Sequence, residues 1–131
     1  MQQRSEPKFY SRTELEEFRV LINQKLEEAQ QEYRKLADSL REYSGISADS
    51  INFTEFGSES REKEQVEILM ARQSKFIDKL QKALIRIENG TYGICRITQE
   101  RIPKARLLIV PHATTTVNAK LQRADFIPRS E

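Results

Sequence analysis

Cys95 and His112 are the only cysteine and the only histidine in this chain of 131 residues. Structural zinc takes four nitrogen or sulfur ligands, so this pair is two ligands short of a site. There is no glycine-rich loop to cradle a nucleotide and no nucleophile elbow, and His112 directly follows Pro111. Enzymatic chemistry is not expected. What remains is charge chemistry. Asp49 and Glu55 lie in a stretch, Ser44 to Ser58, that also holds Ile46, Ile51, Phe53 and Phe56. Arg72, Lys75, Lys79, Lys82 and Arg86 recur at alternating three- and four-residue spacing. Such cations suit phosphate recognition, although a solvated helix face is the plainer reading of the same stripe.

The net charge of +2 conceals a polarity along the chain. Residues 42–67 carry seven acids against Arg61 and Lys63, whereas residues 72–129 carry twelve Lys/Arg against four acids. Charge separated in this way can orient a protein approaching a charged partner. A single cysteine rules out an internal disulfide and fits a reducing compartment. Met1-Gln2-Gln3-Arg4-Ser5 leads into no apolar segment, and no apolar run is longer than the four residues of Leu107 to Val110. Neither a secretory signal nor a membrane span is expected, and the predicted location is cytoplasmic.

Two long helices must position these groups. Val66, Leu69, Gln73, Phe76, Leu80, Ala83 and Ile87 form a heptad seam, widened on one flank by Met70, Ile77 and Leu84. Leu15, Phe18, Ile22, Leu26, Ala29, Tyr33, Leu36, Leu40 and Tyr43 form a second seam, with a stutter between Ile22 and Leu26. Ser11 with Glu14, or Thr13 with Glu16, offers a capping box at the start of the first helix. Asn89-Gly90 supplies the positive-φ stop for the second. The spacing predicts helices over 12–43 and 59–88, each of about 30 residues and about 45 Å. Joined through a tip at 44–58, they read as an antiparallel coiled-coil hairpin over 12–88.

Residues 1–11 read as an irregular arm whose Phe9 and Tyr10 pack on a neighbour. Residues 89–131 read as a small α+β head. Tyr92 and Ile94 suggest one short strand, and Ile102-Pro103 a second at an edge. Thr114 to Thr116 can cap a last helix running to about Asp125, with Pro128 beyond it. The fold class is thus mainly α, with the head leaning on the hairpin base.

Ile87-Glu88-Asn89-Gly90-Thr91-Tyr92-Gly93-Ile94-Cys95, Arg101-Ile102-Pro103, Arg106-Leu107 and Pro111-His112-Ala113-Thr114 resemble the carboxy-terminal signature of the DksA/TraR family. The resemblance covers roughly residues 59–120. It implies a coiled-coil hairpin carrying a zinc-finger head, which binds RNA polymerase and inserts its tip into the secondary channel to modulate initiation. In the family the head and hairpin base also help form a site for the alarmone guanosine tetraphosphate, the effector of the stringent response.

The match departs from the family pattern at two places. The four zinc-binding cysteines of the family fall here on Cys95, Thr98, Thr116 and Ala119, so a degenerate, metal-free head is expected. Ile94, Ile97, Ile102, Leu107 and Ile109 would then pack in place of metal bonds, with Cys95 a small buried hydrophobe. The paired tip aspartates of the family, D-x-x-D-x-A, fall on Asn52, Glu55 and Gly57. Only Glu55 keeps a carboxylate, with Asp49 nearby. The candidate polymerase-contacting tip is therefore Asp49, Asn52, Phe53, Glu55 and Gly57. Basic positions of the alarmone site match at Arg72, Lys79 and Lys120, while Val110 replaces an arginine. These three are the candidate alarmone or phosphate contacts, and an alarmone response is not implied by them alone.

The expected function is a monomeric transcription regulator that binds RNA polymerase, with no sequence-specific DNA binding, no membrane association and no cofactor. A hairpin adaptor or chaperone-like module, presenting Ile46, Ile51, Phe53 and Phe56 to another protein, is the alternative. Nucleic-acid binding along the basic stripe is a third reading, which steep salt dependence would reveal.

Overall fold

Ser11 accepts the amide of Glu14 on its hydroxyl at 3.2 Å, and its own amide donates to the Glu14 carboxylate at 2.9 Å. This reciprocal box starts helix α1, Arg12–Ser47, and selects Ser11 over Thr13 as the cap. Helix α2, Phe53–Asn89, ends where Gly90 takes φ +81°. There the Gly90 amide donates to the Ile87 carbonyl and the Thr91 amide to the Arg86 carbonyl, the paired bonds of a Schellman stop. Two short helices follow, α3 over Lys104–Ile109 and α4 over Val117–Phe126. The computed structural model describes residues 9–47 and 53–126, with side chains described over 9–43 and 60–122. The protein is mainly helical, with α1 and α2 packed as a hairpin. No helix among the described residues is long and apolar enough to cross a membrane.

Both long helices extend past their predicted limits. α1 runs to Ser47 rather than 43, taking in Gly45, and α2 starts at Phe53 rather than 59, taking in Gly57. A glycine costs a helix only about 1 kcal/mol, too little to stop one that is already propagating.

The chain divides into two compact units. Gln24–Lys79 is one of them, built among the described residues from the continuing α1 and α2. Its predicted seam positions, from Leu26 to Tyr43 and from Val66 to Phe76, are all buried or half-buried. Ala29 is its only fully buried core residue among those described, because two helices alone cover a seam from one side.

The other unit combines the chain up to Asn23 with everything from Leu80 onward. Here a third layer is present, and burial becomes complete. Phe18, Ile22, Leu80, Ala83 and Ile87 close the helix pair, and Tyr92, Cys95, Ile102 and Leu107 fill the head. Complete burial of one such aliphatic or aromatic side chain contributes about 1.5–3 kcal/mol.

The predicted α+β head is corrected to a helical one. Among the described residues, Ile94 and Arg101 form a single antiparallel bridge and no strand extends from it. The Cys95 amide donates to the Glu100 carbonyl and the Ile102 amide to the Gly93 carbonyl, both at 2.7 Å. Pairing ends there because Pro103 has no N–H and the chain turns directly into α3. Two predicted core residues are also corrected. Ile97 and Ile109 are 42% and 80% exposed, and Tyr92 occupies the centre instead. The last helix starts as expected, with the Thr116 hydroxyl accepting the Ala119 amide at 3.1 Å.

Candidate functional site: a cysteine-centred turn in the head

Cys95 opens a tight turn. The Gln99 amide donates to the Cys95 carbonyl at 2.9 Å, and Gln99 takes φ +66°, the one positive φ outside glycine among the described residues. The turn folds amides back onto the sulfur, and the Thr98 amide reaches Cys95 Sγ at 3.4 Å. Burial pushes the Cys95 thiol up. Hydrogen bonds from the Thr98 hydroxyl and amide, and from the Thr116 and Ile97 amides, outweigh it and bring the thiol down to about 7. Cys95 is therefore more than the inert hydrophobe expected of a buried thiol. Its sulfur is an acceptor around which the turn closes.

The four positions Cys95, Thr98, Thr116 and Ala119 are thus brought together. Thr98 and Thr116 both direct donors at the sulfur, and Thr98, Thr116 and Ala119 line one cleft of about 520 Å³ with Arg101 and Arg106. The arrangement is that of a metal knuckle, yet its donor set does not suit zinc. Two neutral hydroxyls and a methyl cannot replace three thiolates. Among the described residues, no three His, Cys, Asp or Glu side chains come together.

The turn is anchored to the helix pair through aromatic rings. Tyr92 is fully buried and donates its hydroxyl to the Pro111 carbonyl at 2.7 Å, and burial pushes its phenol up. Phe18 of α1 packs between Tyr92, at 5.1 Å between centroids, and Tyr10, at 5.5 Å and near-perpendicular. Arg101 sits 4.0 Å above the Tyr10 ring. The expectation that the arm packs on a neighbour holds for Tyr10, while Phe9 is 46% exposed. None of this cluster was marked as a site in the sequence. The signal was Tyr92-Gly93 just past a helix stop, where a large ring meets a residue without a side chain.

The candidate phosphate contacts Arg72 and Lys79 are exposed on α2, seven residues apart and so on one face, and Lys120 is exposed on α4. Arg86 departs from this stripe. It is half-buried, burial lowers its pKa, and its Nη2 is buried without a hydrogen bond. Asp49 and Asn52 lie outside the described residues, as do the side chains of Phe53 and Glu55, whose backbone, with that of Gly57, belongs to the first turns of α2.

Residues 90–120 match the family model of the prokaryotic dksA/traR C4-type zinc finger. General stress protein 16O of Bacillus subtilis is 28% identical over 114 residues, spanning 76% of this chain and 70% of that protein. The RNA polymerase-binding transcription factor DksA of Caulobacter vibrioides is 49% identical over 49 residues. That match spans 37% of this chain and about a third, 34%, of the DksA. The solved structure of transcription factor DksA2 from Pseudomonas aeruginosa superimposes with a TM-score of 0.78 at 27% identity. It covers 86% of this chain and 84% of that one.

Proposed function

We propose that the chain is a cysteine-poor member of the DksA/TraR zinc-finger family, and that it is a cytoplasmic transcription regulator that acts by binding RNA polymerase. The observation that carries this reading is the fold match to DksA2 over 86% of the chain, which extends far beyond the zinc-finger residues. As in the rest of that family, the role is not enzymatic.

The mechanism we infer assigns each part a task. The hairpin enters the secondary channel, where Glu55 and Asp49 bring carboxylates toward the polymerase's active centre. There they pair with basic groups or perturb the surroundings of the metal, and they need not transfer protons. Asn52, Phe53 and Gly57 complete the contacting tip. Arg72, Lys79 and Lys120 are the groups through which a phosphate-rich effector such as the alarmone would act. The head's contribution is to hold the helix pair at a fixed angle. In place of zinc, the Cys95 turn and the aromatic rings supply the stiffness.

Promoter-complex lifetime, measured with purified polymerase, tests the tip. Adding the protein should change the lifetime, and the Asp49→Ala, Glu55→Ala double variant should lose that effect while still co-sedimenting with core polymerase. A double variant with full effect would remove the tip mechanism.

A further inference from the structure

Tyr10 lies outside every helix, yet it is only 6% exposed. Its hydroxyl donates to the Ile102 carbonyl, 92 positions away in the chain. Its ring occupies the space directly over Gly93. A Cβ at Gly93 would stand 2.6 and 2.7 Å from two Tyr10 ring carbons and 3.4 Å from Leu107. Arg101 covers the outer ring face, and its guanidinium donates to the Phe9 carbonyl at 3.2 Å. The same arginine and Lys104 approach the Glu14 carboxylate at 3.8 and 3.7 Å. The head thus has a glycine-floored seat, a carbonyl acceptor and a cationic cover, and one side chain from the residues preceding α1 fills all three.

We propose that Tyr10 is a positioning residue: the short segment 9–11 ahead of α1 is a strap that fastens the head to the helix pair, and Gly93 is its seat. Without Tyr10, the Phe18–Tyr92 ring contact still joins the head to α1, beside charge pairs that are partly exposed. Exposed charge pairs contribute little, so the head becomes mobile while the helix pair persists. This assignment is independent of the polymerase reading, since it concerns how the head is held and not what it meets.

Hydrogen exchange of the full-length protein tests the strap. Cys95 and Ile102 amides report the head, and the Ile22 and Ala83 amides report the helix pair. Tyr10→Ala should speed exchange at the head amides by about tenfold or more and leave the helical amides nearly unchanged. Tyr10→Phe keeps the ring over Gly93 and under Arg101 and should restore most of the protection. Gly93→Ala should loosen the head strongly when Tyr10 is present. Combined with Tyr10→Ala it should add only the cost of a positive φ, because the clashing ring is gone. Three results overturn the proposal: unchanged head exchange in Tyr10→Ala, equal loss of protection in head and helices, or purely additive effects of the two substitutions.

Discussion

The Thr98 amide points at the Cys95 sulfur from 3.4 Å, in the position a second thiolate would share in a metal knuckle. A threonine there cannot bind zinc, but it supplies two donors, amide and hydroxyl, to the one sulfur that remains. Thr98→Val removes the hydroxyl and keeps the shape. It should destabilise the protein by about 1 kcal/mol, the usual net worth of one hydrogen bond. It should also move the thiol pKa upward from about 7, as read by thiolate absorbance during a pH titration.

The same sulfur makes stability depend on pH. In the folded protein the thiol is held near 7, below its ordinary value of 9.0. A depressed acid contributes stability that is fully present above the unfolded value and lost as pH falls through the folded one. Unfolding free energy should therefore rise between pH 6.5 and 9, by an amount on the order of 2 kcal/mol. Cys95→Ala should flatten that rise, and an equally steep rise in the variant would assign it to another group.

If the knuckle is intact, three substitutions should restore a metal site. Thr98→Cys, Thr116→Cys and Ala119→Cys together place four thiolates around one point. The triple variant should bind one cobalt ion per chain with thiolate charge-transfer absorption and melt at higher temperature with zinc. The unmodified protein should show neither. A folded triple variant without the cobalt spectrum would mean that the four positions do not converge.

Glu14 joins two functions in one carboxylate. It closes the capping box with Ser11 and receives Arg101 and Lys104 from the head. The Ser11 amide is the main cause that holds its pKa below the usual carboxylate value. Its contribution is present above the unfolded pKa of about 4.3 and lost as pH falls through the lower folded value. Ser11→Ala and Glu14→Ala should each lower the melting temperature at pH 7, and the double variant should lower it by less than their sum. Additive losses would show that the box is not a unit.

The helices were legible because burial follows the heptad. Every seam position from Leu15 to Tyr43 and from Val66 to Ile87 is at least half-buried, and the start at Ser11-Glu14 and the stop at Asn89-Gly90 work by the bonds their residue types suggest. The tip was less legible, since Gly45 and Gly57 read as breaks although a helix absorbs one glycine. The head was least legible. Ile97 and Ile109 look like core residues by type, but one sits in the turn around Cys95 and the other on the outer face of α3. The sequence identifies apolar residues there; it does not say that Tyr92 would occupy the centre, or that Tyr10, 92 positions before Ile102, would pack over Gly93. Local pattern carries local structure, whereas the Tyr10–Gly93 seat is a long-range contact with no period to reveal it.

Binding to core RNA polymerase, followed by sedimentation of the purified protein with increasing enzyme and no DNA, is the most direct test. The expected result is saturable one-to-one binding that persists at physiological salt and is blocked by another occupant of the secondary channel. Absence of saturable binding, or binding undisturbed by a blocked channel, would contradict the proposed partner and its mode of engagement.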